Sequence, residues 1–192
     1  MALKKIIIAP HATLRKVADP ITSIDKKVLE HIQALEDTLR AARNPRGVGL
    51  AAPQIDTSRR IFATWLETSQ SDDPIMRIFL NPRIIDRADR EVVGTNPRDP
   101  DLEGCLSIPH LYGPVLRPEW VTFEFQTVNP DNTLSDIHTE TFFDFSGRVM
   151  QHELDHLDGV LFTDHLLKQQ QPVYQLINDK LQLVDPQLAS GF

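Results

Sequence analysis

Gln151-His152-Glu153-Leu154-Asp155-His156-Leu157-Asp158-Gly159 carries the pattern His-Glu-x-x-His. On an α-helix, residues four apart share a face, so His152 and His156 can grip one metal ion. Glu153 sits about 100° round such a helix, out of line for ligation but able to reach a water at the metal as general base. A catalytic zinc-type site takes three protein ligands and keeps one position open. A histidine pair at helical spacing is equally compatible with half-buried core. The third ligand therefore decides the reading.

Cys105 is the single cysteine, which excludes a disulfide within the chain. It follows Glu103-Gly104 and precedes Leu106-Ser107-Ile108-Pro109, an odd setting for a plain core thiol. A thiolate on a strand facing the helix would complete a Cys-His-His set. The 47-residue separation of Cys105 from His152 suits a hairpin excursion that returns to the same place. Two imidazoles and a thiolate accommodate zinc, iron(II), nickel or cobalt, and ligand type alone does not choose among them. Gly47-Val48-Gly49-Leu50-Ala51-Ala52-Pro53-Gln54 permits close backbone approach, but no Lys-Ser/Thr follows as a phosphate cradle would need. In isolation it reads as a helix-to-strand turn.

The elements that must position these residues belong to one domain. At 192 residues and 41% hydrophobic, the chain is long and apolar enough for a full core. Its net charge of −7 argues against a basic nucleic-acid footprint. No apolar run approaches the roughly 20 residues that span a bilayer. The start, Met1 to Ile8, is too short an apolar stretch for a signal peptide. A cytoplasmic protein is expected, with no membrane partner.

Ile24, Val28, Leu29, Ile32, Leu35 and Leu39 form one apolar stripe, predicting a helix over 24–42 capped by Ser23 or by Thr22-x-x-Asp25. Residues 60–66 and 75–80 read as strands separated by a polar loop. Asn81-Pro82 reads as a turn, with 83–86 a further short strand. Gly94 to Asp101 reads as a loop. Trp120 to Thr127 and Leu134 to Thr141 form a hairpin about Asn129-Pro130-Asp131-Asn132. The metal helix is predicted from about Phe142 to His156, stopped by Asp158-Gly159. Val173, Leu176, Ile177 and Leu181 suggest more helix after Pro172. The class is α+β, with mostly antiparallel strands around a central metal-binding helix, an N-terminal helix and a C-terminal helical segment. One catalytic domain over 1–192 is expected, with a helical extension at about 164–185 and a loose tail at 186–192.

Three motifs together resemble the signatures of peptide deformylases, in that family's order: Gly47 to Gln54, Glu103-Gly104-Cys105-Leu106-Ser107, and Gln151 to His156. The likeness extends through Ile8-Ala9-Pro10 and Leu14-Arg15 at the start and His156 to Phe162 near the end, roughly residues 5–167. It implies removal of the formyl group from the N-terminal formyl-methionine of new polypeptides, releasing formate. By the same resemblance Cys105, His152 and His156 would hold one divalent metal ion, most often iron(II) in the family, with zinc, nickel or cobalt possible. Glu153 would take a proton from water and pass it to the leaving amine. The Gln54 side-chain amide and the Leu106 backbone N–H would donate to the developing oxyanion. Val48, Gly49 and Gly104 would meet the substrate backbone, with Val48, Phe145 and Val149 walling an apolar slot for methionine. The partner is a formyl-methionyl peptide. In some relatives the C-terminal tail docks on the ribosome, which makes the ribosome a candidate partner for the segment from Leu166.

The chain departs from the family pattern at several positions. Asp56 stands where the family usually has Gly after Gln-Ile, and Gly-x-Leu-Ala-Arg becomes Asp144-Phe145-Ser146-Gly147-Arg148. Gly147 for Ala is expected to weaken that helical turn by about 1 kcal/mol. Two alternatives compete. A metallopeptidase cutting internal peptide bonds would draw its third ligand from downstream, where His165 is available. A non-catalytic metal-stabilised module would close the fourth position with another protein ligand, and would have no use for Glu153.

Overall fold

Ile61 and Ala63 face one way and Phe62 the other, and this alternation organises the fold. In the computed structural model, which describes residues 2–68, 71–94 and 101–192, these residues lie in a five-stranded antiparallel sheet. It orders β1 (Gly49–Ala51), β2 (Ile61–Thr68), β3 (Ser71–Arg87), β8 (Trp120–Gln126) and β9 (His138–Phe143) in that sequence. A short pair joins β4 (Glu91–Val92) to β7 (Arg117–Pro118). A four-stranded sheet runs β11-β10-β6-β5, built from β5 (Glu103–Cys105), β6 (Ile108–Gly113), β10 (Val173–Ile177) and β11 (Lys180–Val184).

Helix α1 (Lys26–Ala41) lays Val28, Leu35 and Leu39 on Leu50, Ile61, Ala63 and Leu80. Helix α2 (Asp144–Leu157) lays Met150, Leu154 and Leu157 on Phe62, Phe79, Phe123 and Phe142. The two helices thus cover opposite faces of one sheet. A third cluster packs Phe162 and Leu166 of α3 (Phe162–Lys168) against Ile108, Leu111 and Val173 of the smaller sheet. Among the described residues, no helix is long and apolar enough to cross a membrane.

Several local expectations need correction. Asp25, rather than Ser23, caps α1: its Oδ1 accepts the Val28 N–H at 2.8 Å. Asn81-Pro82 does not turn the chain. Asn81 takes a left-handed φ of 50° inside β3, and its side chain binds both backbone groups of Ile21, so the strand bends and continues. Strands β2 and β3 also extend into the expected polar loop, of which residues 69–70 lie outside the described residues. The loop expected over Gly94 to Asp101 falls largely on residues 95–100, likewise outside them.

The expected C-terminal helix over 164–185 is the largest error. Only Phe162–Lys168 is helical, and Val173–Ile177 pairs with Lys180–Val184 as a hairpin. Asn178 and Asp179 both take positive φ, 51° and 59°, as a two-residue hairpin turn requires. The tail is not loose either. Pro186–Gly191 forms a 3-10 turn that buries Ala189.

Candidate active site

Glu103-Gly104-Cys105 forms an edge strand because Leu106-Ser107 turns it tightly onto β6, with Cys105 opposite Ile108. That turn aims the Cys105 thiol at α2. His152 and His156, one helical turn apart, present their rings to it with centroids 5.0 Å apart. One ligand atom from each of Cys105, His152 and His156 lies within 4.8 Å of the others, and Cys105 Sγ is 3.2 Å from His156 Nε2. Burial pushes the Cys105 thiol up, but the His156 and His152 rings outweigh it and hold the thiol well below its ordinary value. The thiolate is the form that ligates metal.

Glu153, next to His152 on α2, is only 4% exposed. Its Oε2 has no hydrogen-bond partner among the described residues, and burial pushes its carboxyl up to about 7. Gly49 lies directly against it. A Cβ at that position would collide with the Glu153 carboxylate, so glycine is what lets β1 approach.

Gln54 follows in a 3-10 turn (Ala52–Ile55) and is 1% exposed. Its Oε1 accepts the Ala51 N–H at 2.8 Å, which turns the amide NH₂ toward Cys105 Sγ at 3.4 Å and Ser107 Oγ at 3.3 Å. The Gln54 and Ser107 carbonyls accept the Ile7 and Ala9 N–H groups, so the N-terminal segment fixes both turns.

Of the other expected site residues, Leu106 adjoins Cys105 in the β5–β6 turn. Val48 is half-buried, with its carbonyl bound by the Trp65 N–H at 2.8 Å. Gly104 has Tyr112 packed where a Cβ would stand. Val149 is buried one turn before His152, whereas Phe145 is 53% exposed near the start of α2. His165 does not join the cluster: its Nε2 lies 2.9 Å from Asp155 Oδ2.

Sequence reasoning gave no role to the polar network behind the ligands. Glu103 Oε2 lies 3.3 Å from His152 Nδ1, and Arg117 grips both oxygens of Glu103 at 2.6 and 2.8 Å. Arg117 also binds Asp155 at 2.9 Å, and Arg148 reaches Glu103 at 3.0 Å. Burial alone would raise Glu103, yet Arg117 holds its carboxyl far below the usual range. The sequence did hold a signal. A glutamate two residues before a candidate ligand, flanked by apolar residues, needs a cationic partner if buried.

Fold and site together define the class: an α+β protein with a Cys-His-His cluster that could hold a metal ion beside a buried glutamate. The Polypeptide deformylase family profile matches residues 3–172. A peptide deformylase of Pseudothermotoga lettingae is 36% identical over 162 residues, spanning 84% of this chain and 82% of its own. A crystal structure of a Legionella pneumophila peptide deformylase superposes with a TM-score of 0.69 at 32% identity, covering 85% and 86% of the two chains. A Met-Ala-Ser-bound structure of the Acinetobacter baumannii class I type b enzyme gives 0.69 at 25% identity, covering 86% and 99%. The chain belongs to the peptide deformylase family: it is a hydrolase that removes the formyl group from nascent polypeptides.

The departures from the family pattern now have a physical reading. Asp56 and Asp144, the two aspartates at usual glycine positions, both adopt left-handed backbone, φ 57° and 49°. Asp tolerates that region better than most residues, and Asp56 is further tied by the Thr13 hydroxyl at 2.6 Å. Gly147 is not simply a weaker helix former, as expected. A Cβ there would sit 2.9 Å from the Phe142 carbonyl oxygen, so alanine would not fit this entry to α2.

Proposed function

We propose that Cys105, His152 and His156 hold one divalent ion, iron(II) in the native protein, with zinc, nickel or cobalt also accepted. The donor set fits: a depressed thiol and two imidazoles converge within 4.8 Å, leaving a fourth position to substrate and water. When bound, such an ion lowers the pKa of water toward about 7 and stabilises oxyanion charge.

The chain's own residues do the rest. Glu153 takes a proton from the attacking water and delivers it to the amine as the C–N bond breaks, giving formate and a free N-terminus. Its burial matches that duty, since a carboxyl near 7 both accepts and returns a proton at cellular pH. Gln54 Nε2, turned inward by its bond to Ala51, and the Leu106 N–H donate to the tetrahedral oxyanion. Strands β1 and β5 each end a sheet, so both offer an open edge to an extended peptide. The Val48 carbonyl is used by β2, so ladder alternation turns that of Gly49 outward. Gly104 supplies the facing backbone, and Val149 with Val48 and Phe145 walls the methionine slot. The Met-Ala-Ser-bound relative supports a peptide as the substrate. The protein works as a single catalytic domain, in the cytoplasm where new chains emerge.

The observation that carries this reading is the Cys105-His152-His156 convergence beside a buried, unpartnered Glu153. The test is formate release from formyl-Met-Ala-Ser by protein loaded anaerobically with iron(II) or nickel, with Glu153→Ala beside it. Turnover lost in the variant establishes the roles. No turnover from folded, fully metallated protein overturns them.

A further inference from the structure

The last turn of α1 and the loop that leads to β1 gather positive charge in a chain whose net charge is −7. Arg40, Arg43 and Arg46 are all exposed, and Arg43 and Arg46 face each other across an antiparallel bridge. The Arg46 and Arg40 guanidiniums lie over the Trp65 ring, 5.2 and 5.7 Å from its centroid, and the Trp65 indole is itself anchored to the Pro74 carbonyl. Among the described residues, none of these three arginines meets a carboxylate within 4 Å. Arg40 also suits the C-terminal turn of α1, where cations oppose the helix dipole. Arg43 and Arg46 lie beyond the helix and have no dipole to oppose.

Their place relative to β1 gives them another role. Only one direction is open to a peptide on that edge. Beyond Ala51 the chain enters the 3-10 turn whose Gln54 is buried against Cys105, so that end is closed. The acyl end must therefore lie beside Gly49, against Glu153, and the following residues leave past Val48 and Gly47 toward Arg46. A strand advances roughly 3.3 Å per residue, so the third residue of the peptide comes level with Arg46. Taking the deformylase reading as its basis, we infer that Arg46, held over Trp65 and reinforced by Arg43, selects substrates with an acidic side chain at the third position.

The test compares kcat/KM for formyl-Met-Ala-Asp, formyl-Met-Ala-Ser and formyl-Met-Ala-Lys at low ionic strength. An exposed charge pair should favour Asp over Ser by about two- to fivefold, mostly through KM, with Lys correspondingly worse. The preference should shrink when salt shortens the screening length. Arg46→Glu should reverse the order, and Arg46→Gln should flatten it. Measurable but equal turnover of the three peptides would overturn the inference and leave the deformylase reading intact. So would a peptide preference that survives Arg46→Glu, including the case where that variant instead loses retention on an RNA oligonucleotide. No turnover of any peptide would overturn the deformylase reading and this inference with it.

Discussion

At the scale of single residues, the tightest constraint is between Gly49 and Glu153. Gly49→Ala would push a methyl group into the carboxylate that moves the proton. Displacing a reacting group by about 1 Å can cost on the order of 10² in rate. We expect a loss of about that size in kcat/KM for Gly49→Ala, measured by formate release, while thermal unfolding shifts little because β1 keeps its pairing. Gly147→Ala reverses the naive expectation from helix propensity. It should destabilise the protein by about 1–3 kcal/mol, as overpacking does, because the atom in the way is a backbone carbonyl rather than the end of a flexible side chain. Chemical denaturation reads the sign directly, and a stabilised variant would contradict the packing argument. The Cys105 thiolate brings a liability of its own, since thiolate and iron(II) are both oxidisable. Protein purified in air should carry zinc or nickel, or show reduced activity. Full iron with full activity after aerobic handling, by metal analysis and assay, would disprove this.

At the scale of elements, Glu103 ties β5 to α2 and to Arg117 at the start of β7. Replacing it with glutamine would leave Arg117 and Arg148 underpaired in the interior, where breaking an ion pair costs roughly 3–5 kcal/mol. The sign of the pH dependence follows from the depressed carboxyl. Its contribution is complete above the unfolded-chain value of 4.5 and is lost as pH falls through the lower folded value. Acid unfolding of the wild type should therefore steepen below about pH 4.5, and Glu103→Gln should flatten that limb. This network also shows where sequence reading stopped. Helix α1 was legible from three- and four-residue apolar spacing, α2 from the His-Glu-x-x-His pattern and its Asp158-Gly159 stop, and β8 from strict alternation. Arg117 was not, because nothing local says which distant carboxylate will pair with it. The β10–β11 hairpin was missed for a different reason. Val173, Leu176, Ile177 and Leu181 fit a helical stripe, and the Asn178-Asp179 turn between them went unweighed. Asn81 misled in the opposite sense, since its side chain ties the strand to Ile21, a partner 60 residues away that no sequence pattern shows.

At the scale of the whole molecule, the three ligands come from two elements whose cores are packed without the ion's help. Chelation should abolish formate release while far-UV circular dichroism and cooperative unfolding persist. The midpoint should fall only by the binding energy linked to the folded state. Collapse of the secondary structure on chelation would instead favour a structural metal. Charge is distributed at this scale too. An acidic chain places exposed Arg43 and Arg46 just ahead of the open edge of β1, a contrast that net charge hides.

The two edges offered to the peptide are also very short. Strands β1 and β5 span only Gly49–Ala51 and Glu103–Cys105. Such stubs are poor templates for strand-to-strand aggregation, a hazard of long bare edges. They also cap the grip on any polypeptide at a few main-chain hydrogen bonds, whatever its length. A catalyst that must visit every newly started chain gains from this, because a brief residence keeps the finished end free for the next processing step.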